Sequence, residues 1–232
     1  MLFSGCGPVA RYITIKHMSP LQSSSSTQRI IPGTIIALLA LLLLAGGWLV
    51  PFYFESFSIL YKFGIEKAYL RSGKMVGITI VLLVFYQILL ASRFRFLERI
   101  FSAKRLLALH RINGTTITLF VLTHPVLIKA SENFISYTFE KKYVPEFIGI
   151  SLLLVILSVS LTAIFRDSLT IAYGRWLFLH RLGATLVIAI LPLHILLVSD
   201  TFKAGLPRAA ALVIFGLNML LLARIWRRRL FP

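Results

Sequence analysis

The sequence predicts an all-α integral membrane protein, a six-helix bundle with two stacked sites between its third and fifth spans. Three observations lead there. The 232 residues are 58% hydrophobic and their mean hydropathy is +0.86. Six apolar runs each approach the ~20 residues an α-helix needs to cross a hydrocarbon core. Four of the five histidines fall within two of those runs, at one repeated spacing.

Residues 1–29 are polar and mixed, with a serine run from Ser23 to Ser26, and are expected to form a disordered cytoplasmic tail. Met18 is an alternative start, and His17 belongs to this tail. The first apolar run, about Ile30 to Phe54, is too long for a signal-peptide core and has no small-residue cleavage site, so it is expected to be retained as a span. The others cover about Gly73 to Ser92, His110 to Ile128, Pro145 to Phe165, Phe178 to Ser199 and Leu206 to Trp226. The membrane domain is thus expected over residues 30–226, with a basic cytoplasmic C-terminus over 227–232.

A net charge of +17 would suit a nucleic-acid binder, but the basic residues cluster at the ends of apolar runs. That placement fits membrane topology and contact with anionic lipid, and no nucleic-acid partner is expected. Arg93, Arg95, Arg99, Lys104 and Arg105 join the second and third spans, Arg166 and Arg175 the fourth and fifth, and Arg224 and Arg227 to Arg229 close the chain. On the opposite side Glu55 and Glu66 offset Lys62 and Lys67, while Glu132, Glu140 and Glu146 offset Lys129, Lys141 and Lys142. Positive-inside bias therefore puts both termini in the cytoplasm of a cell that carries the protein in its inner membrane. The single cysteine, Cys6, excludes an intramolecular disulfide and a cysteine-ligated cluster within one chain.

The third span reads Leu109-His110-Arg111 through His124, and the fifth reads Leu179-His180-Arg181 through His194. In each, the second histidine follows the first by fourteen positions. Fourteen residues turn an α-helix through roughly 1400°, about 40° short of four turns, and rise roughly 21 Å. Both histidines of a span therefore share a face, one near each side of the bilayer. Two parallel spans side by side pair His110 with His180 near the cytoplasm and His124 with His194 near the outer face. Ionisable groups inside a span are costly and mark function. Neutral imidazoles ligate metals well, and two facing imidazoles would hold a haem from both axial sides, an arrangement suited to electron transfer. A different reading is a transporter or channel whose histidines bind a metal ion or relay protons. The spans carry almost no acidic residues to share such a relay, and it explains the matched spacing poorly. A structural assembly subunit explains the histidines least. Gly114 and Gly183, about one turn beyond His110 and His180, either leave room for a flat macrocycle or let helices pack closely. Arg111 and Arg181 either pair with haem propionates or snorkel to the boundary.

With these residues in view, the chain resembles the ferric reductase-like transmembrane family, the membrane parts of ferric reductases and NADPH oxidases. The haem-binding subunit of a periplasmic methionine sulfoxide reductase system is a related architecture. The resemblance spans about Ile30 to Trp226 and is specific through His110, His124, His180 and His194. It implies six spans and two b-type haems, with those four histidines as ligands, and no C-x-x-C-H motif for covalent attachment occurs. It implies transmembrane electron transfer from a cytoplasmic donor to an outer-face acceptor. The larger enzymes continue into flavin- and nicotinamide-binding domains, whereas this sequence closes on Arg227 to Pro232 and has no glycine-rich dinucleotide fingerprint. The chain is therefore expected to be the haem subunit of an oxidoreductase, reduced by a separate cytoplasmic flavin reductase or a membrane quinol.

Overall fold

A computed structural model describes residues 26–55 and 63–230 of the chain, with side chains over 31–55 and 63–228. The tail expected over residues 1–29 falls outside the described residues except for its last four, which open the first helix. Among the described residues seven α-helices follow in order: α1 (Ser26–Tyr53), α2 (Gly64–Ala91), α3 (Arg95–Ile100), α4 (Ala103–Ser131), α5 (Val144–Ile164), α6 (Tyr173–Val198) and α7 (Gly205–Leu230). All but the short α3 are long and apolar enough to cross a membrane, and no strand occurs among the described residues. Six apolar helices mark an integral, multi-pass membrane protein.

Several helices begin earlier than the apolar runs. α2 starts at Gly64, whose φ of 77° opens the left-handed region to the chain. Its first turns carry Glu66, Lys67 and Arg71, which keep the helix wet at one end and hide it from a hydropathy reading. α4 starts at Ala103 because the Ser102 hydroxyl caps it, accepting from the Arg105 N–H at 3.4 Å. His110 consequently lies well inside a formed helix. Pro145 sits in the first turn of α5, where its missing N–H costs no intrahelical bond. α6 and α4 run unbroken through Pro192 and Pro125.

Five helices close into a ring. α4 packs on α2 and α5, α6 packs on α5 and α7, and α7 returns to α2. α1 lies outside it against α2 and α3, fixed by the Trp48 indole donating to Thr79 Oγ1 at 2.9 Å and by the Tyr86 hydroxyl donating to the Ala40 carbonyl at 2.9 Å. Gly47 permits that approach, since a Cβ there would lie 2.8 Å from Ile78. α4 and α6 stand across the ring with scarcely any direct backbone approach.

The core of the ring is one apolar layer to which each helix gives a residue pair one turn apart. These are Ile80 and Val84, Ile117 and Val121, Leu152 and Ile156, Val187 and Leu191, and Ala211 and Phe215. The i, i+4 spacing puts both members of a pair on one helix face. Ile117 is midway between His110 and His124, and Val187 midway between His180 and His194. The layer therefore separates two levels of histidine.

Candidate haem site

All four histidines are half-buried on α4 and α6. At one level the rings of His110 and His180 lie 6.3 Å apart between centroids, at 61° and edge to face. We call this the first tier and His124 with His194 the second. His110 meets His180 in the first half of the two helices and His124 interacts with His194 in the second half, so α4 and α6 run the same way and the equal fourteen-residue spacing puts the second pair at a common level.

The second tier is anchored to backbone. His124 Nδ1 lies 2.9 Å from the Gly73 carbonyl on α2, and His194 Nδ1 lies 3.2 Å from the Pro145 carbonyl on α5. A carbonyl only accepts, so Nδ1 carries the proton in both rings and Nε2 presents its lone pair. Four residues beyond each carbonyl is a glycine against the same imidazole. A Cβ at Gly77 would come within 3.0 Å of His124 Cε1, and one at Gly149 within 2.6 Å of His194 Cε1. The arrangement is the same twice: a helix of the ring offers a carbonyl and, one turn on, a bare backbone patch.

The first tier is held by side chains. Gln87 on α2 places its amide nitrogen 3.2 Å from His110 Nε2 and donates to the His110 carbonyl at 3.0 Å. Asn113 fixes Gln87 from the side, donating to Gln87 Oε1 at 2.7 Å and to the Leu83 carbonyl at 2.9 Å. His180 stacks on Trp176 with centroids 5.3 Å apart and planes at 31°. The buried Nδ1 atoms of His110 and His180 have no hydrogen-bond partner. Two buried imidazole nitrogens on facing helices thus leave hydrogen-bonding capacity unused inside the bundle.

Gly114 and Gly183 do not leave open space beside the first tier. A Cβ at Gly114 would meet the Gln87 amide at 3.1 Å, and one at Gly183 would meet Val159 at 2.3 Å. Both glycines serve helix packing. Arg111 is exposed and Arg181 half-buried. The residues that sequence reasoning missed are Gln87, Asn113, Gly77, Gly149 and Trp176. Gln87 and Asn113 did carry a signal, since amide side chains inside apolar spans need partners.

These features fit a haem in each tier. Among the described residues no group of three or more His, Cys, Asp or Glu gathers, so each tier offers two imidazoles and no further ligand. A macrocycle that brings its own four nitrogens needs only such an axial pair. Imidazole–metal bonds of about 2 Å put two ring centres sharing one metal roughly 6 Å apart, close to the 6.3 Å of the first tier. The separation of α4 from α6 is where a flat group would lie.

The two ends of the bundle differ in charge. The five ion pairs found among the described residues all lie at the second-tier end: Glu55 with Lys67 and Arg71, Glu132 with Lys129, Glu140 with Lys142, and Asp200 with Lys203. The Arg71 guanidinium, hydrogen-bonded to Glu55, holds that carboxyl below its ordinary value. At the first-tier end arginines bind backbone and rings instead. Arg228 donates to the Ser92 and Arg93 carbonyls at 3.3 and 2.9 Å, and Arg224 lies 4.4 Å over the Phe94 ring.

Comparison with known proteins places residues 76–191 in the family described as the ferric reductase like transmembrane component. That stretch includes His110, His124 and His180, and ends three residues before His194. No curated protein and no solved structure matches the chain significantly. Half of the chain, containing α4 and most of the five-helix ring, carries the match, and the protein belongs to the ferric reductase-like transmembrane family.

Proposed function

We propose that the protein conducts electrons across the membrane through two b-type haems, one held by His110 and His180 and the other by His124 and His194. Ferric reductase-like domains generally bind haem and suggest a membrane oxidoreductase component. The observation that carries the finer reading is the pairing of imidazoles across the α4–α6 gap, at two levels separated by an apolar layer. A haem held by such a histidine pair would supply one-electron ferric–ferrous chemistry.

The chain's own residues do the rest. The Gly73 and Pro145 carbonyls orient the second-tier rings and raise the basicity of Nε2 as a ligand. Gln87 and Asn113 fix His110, and the packed layer of Ile117, Val121, Val187 and Leu191 keeps water and protons from following the electron. The direction runs from the first tier to the second. Its support is charge: basic residues bound to backbone and rings at the first-tier end mark a cytoplasmic face, and compensated ion pairs mark the outer one. The electron donor is a cytoplasmic flavin reductase or a membrane quinol, and the acceptor lies at the outer face.

Pyridine haemochrome analysis of protein expressed with ample haem tests this reading. Two b-type haems per chain with low-spin spectra are expected. A protein that folds and lacks any Soret band overturns it, and stoichiometric uptake of a bare transition-metal ion instead would favour a transporter.

A further inference from the structure

Three rings on one face of α6 lead from the surface to the first tier. Tyr173, Trp176 and His180 follow at i, i+3 and i+7, which keeps them in line along the helix. Tyr173 is 63% exposed. Its ring centroid lies 5.7 Å from that of Trp176, Trp176 lies 5.3 Å from His180, and His180 lies 6.3 Å from His110. The first two separations are those of aromatic rings in van der Waals contact. The Trp176 indole is pinned by a hydrogen bond to the Thr162 carbonyl at 3.1 Å on α5, so the contact with His180 is fixed from two helices.

We propose that Tyr173 and Trp176 are the bridge by which electrons reach the first tier from an anionic aromatic reductant of the reduced-flavin class. The proposal rests on the haem reading above. Tunnelling falls off more gently through packed, conjugated matter than across a gap, and this is a continuous run of rings from the surface to an inferred haem ligand. The guanidinium of Arg166 lies 5.9 Å over Tyr173 and 5.4 Å over Trp176. A cation beside an indole disfavours its oxidation, so the electron passes through the rings without leaving a hole on them. The same cation, with the basic surface around it, draws a negatively charged donor. Each transfer removes one electron from the reduced flavin and converts one ferric iron to ferrous. The flavin's proton goes to the medium on the donor side, and two transfers complete the flavin's oxidation.

The test uses the haem-loaded full chain and reduced flavin mononucleotide, mixed without oxygen and followed by absorbance. Trp176→Leu should slow reduction at least tenfold per haem bound, by more than any measured change in its midpoint potential accounts for. Trp176→Phe should restore most of the rate, and Tyr173→Leu should slow it severalfold. In haem-free protein, Trp176→Leu should also move the His180 ring resonances in NMR, because the indole ring current is gone. An unchanged rate in both leucine variants, a defect that phenylalanine fails to rescue, or unmoved His180 resonances would overturn the bridge. If Trp176→Leu loses haem, the rates of Tyr173→Leu and Trp176→Phe decide the matter in its place. A wild-type chain that binds no haem defeats the underlying reading, which is a distinct result.

Discussion

The two tiers use the same residue type at the same spacing on the same two helices, yet they are held in different ways. His124 and His194 each face a main-chain carbonyl and lie against a glycine one turn further on. His110 and His180 are placed by Gln87, Asn113 and Trp176. A carbonyl in a helix cannot be moved by changing its side chain, so the second tier is rigid and tolerant of most substitutions around it. Its weak point is bulk at the two glycines. A tier placed by side chains is adjustable and can be tuned or damaged one residue at a time. Under the proposed two-haem conduit, rigidity at one level and adjustability at the other would allow the two centres to be set at different potentials.

The largest effect should come from filling the glycine patch. Gly149→Leu puts a side chain where even a Cβ would lie 2.6 Å from His194 Cε1. Overpacking of this kind costs about 1–3 kcal/mol. The variant should lose the second-tier haem and keep the first, giving one haem per chain by haemochrome assay. Gly77→Leu should do the same through His124. Retention of both haems would show that backbone contact does not place these rings.

A smaller effect, on the other tier, is expected at Gln87. Gln87→Leu takes a partner from His110 and one of two from Asn113, which keeps its bond to the Leu83 carbonyl. The first-tier haem should bind more weakly and shift in midpoint potential, while the second-tier haem keeps its own. Redox titration resolves the two. Equal shifts in both haems would mean that Gln87 supports the bundle generally.

The smallest effect lies outside the spans, at Glu55. Its carboxyl is held below the ordinary value of 4.5 by Arg71, so the pair stabilises the fold at neutral pH and stops doing so as pH falls through and below that value. Glu55→Gln should therefore lower the midpoint of thermal unfolding slightly at pH 7 and match wild type in acid, with haem content unchanged at both. A difference that grows on acidification would have the wrong sign for this ion pair.

The sequence made the spans and the histidine pairs legible because both depend on short-range regularities, apolar length and helical repeat. The helix starts were less so: Glu66, Lys67 and Arg71 keep the first turns of α2 polar although the backbone is already helical. What holds the rings was hidden for another reason. Gly73 and His124 are 51 residues apart, and Pro145 and His194 are 49 apart, so only the packing of α2 on α4 and of α5 on α6 brings them together. Gly114 and Gly183, close in sequence to His110 and His180, drew attention to the wrong glycines. Their space belongs to Gln87 and Val159.

The pairing itself is the central claim, and haem content in four single variants tests it most directly. His110→Ala and His180→Ala should each leave a protein with the second-tier haem intact and a common residual spectrum and midpoint potential. His124→Ala and His194→Ala should each leave the first-tier haem, with a different spectrum and potential shared by those two. If His110→Ala instead matched His194→Ala, the ligands would be paired diagonally, and the two-tier arrangement across α4 and α6 would be wrong.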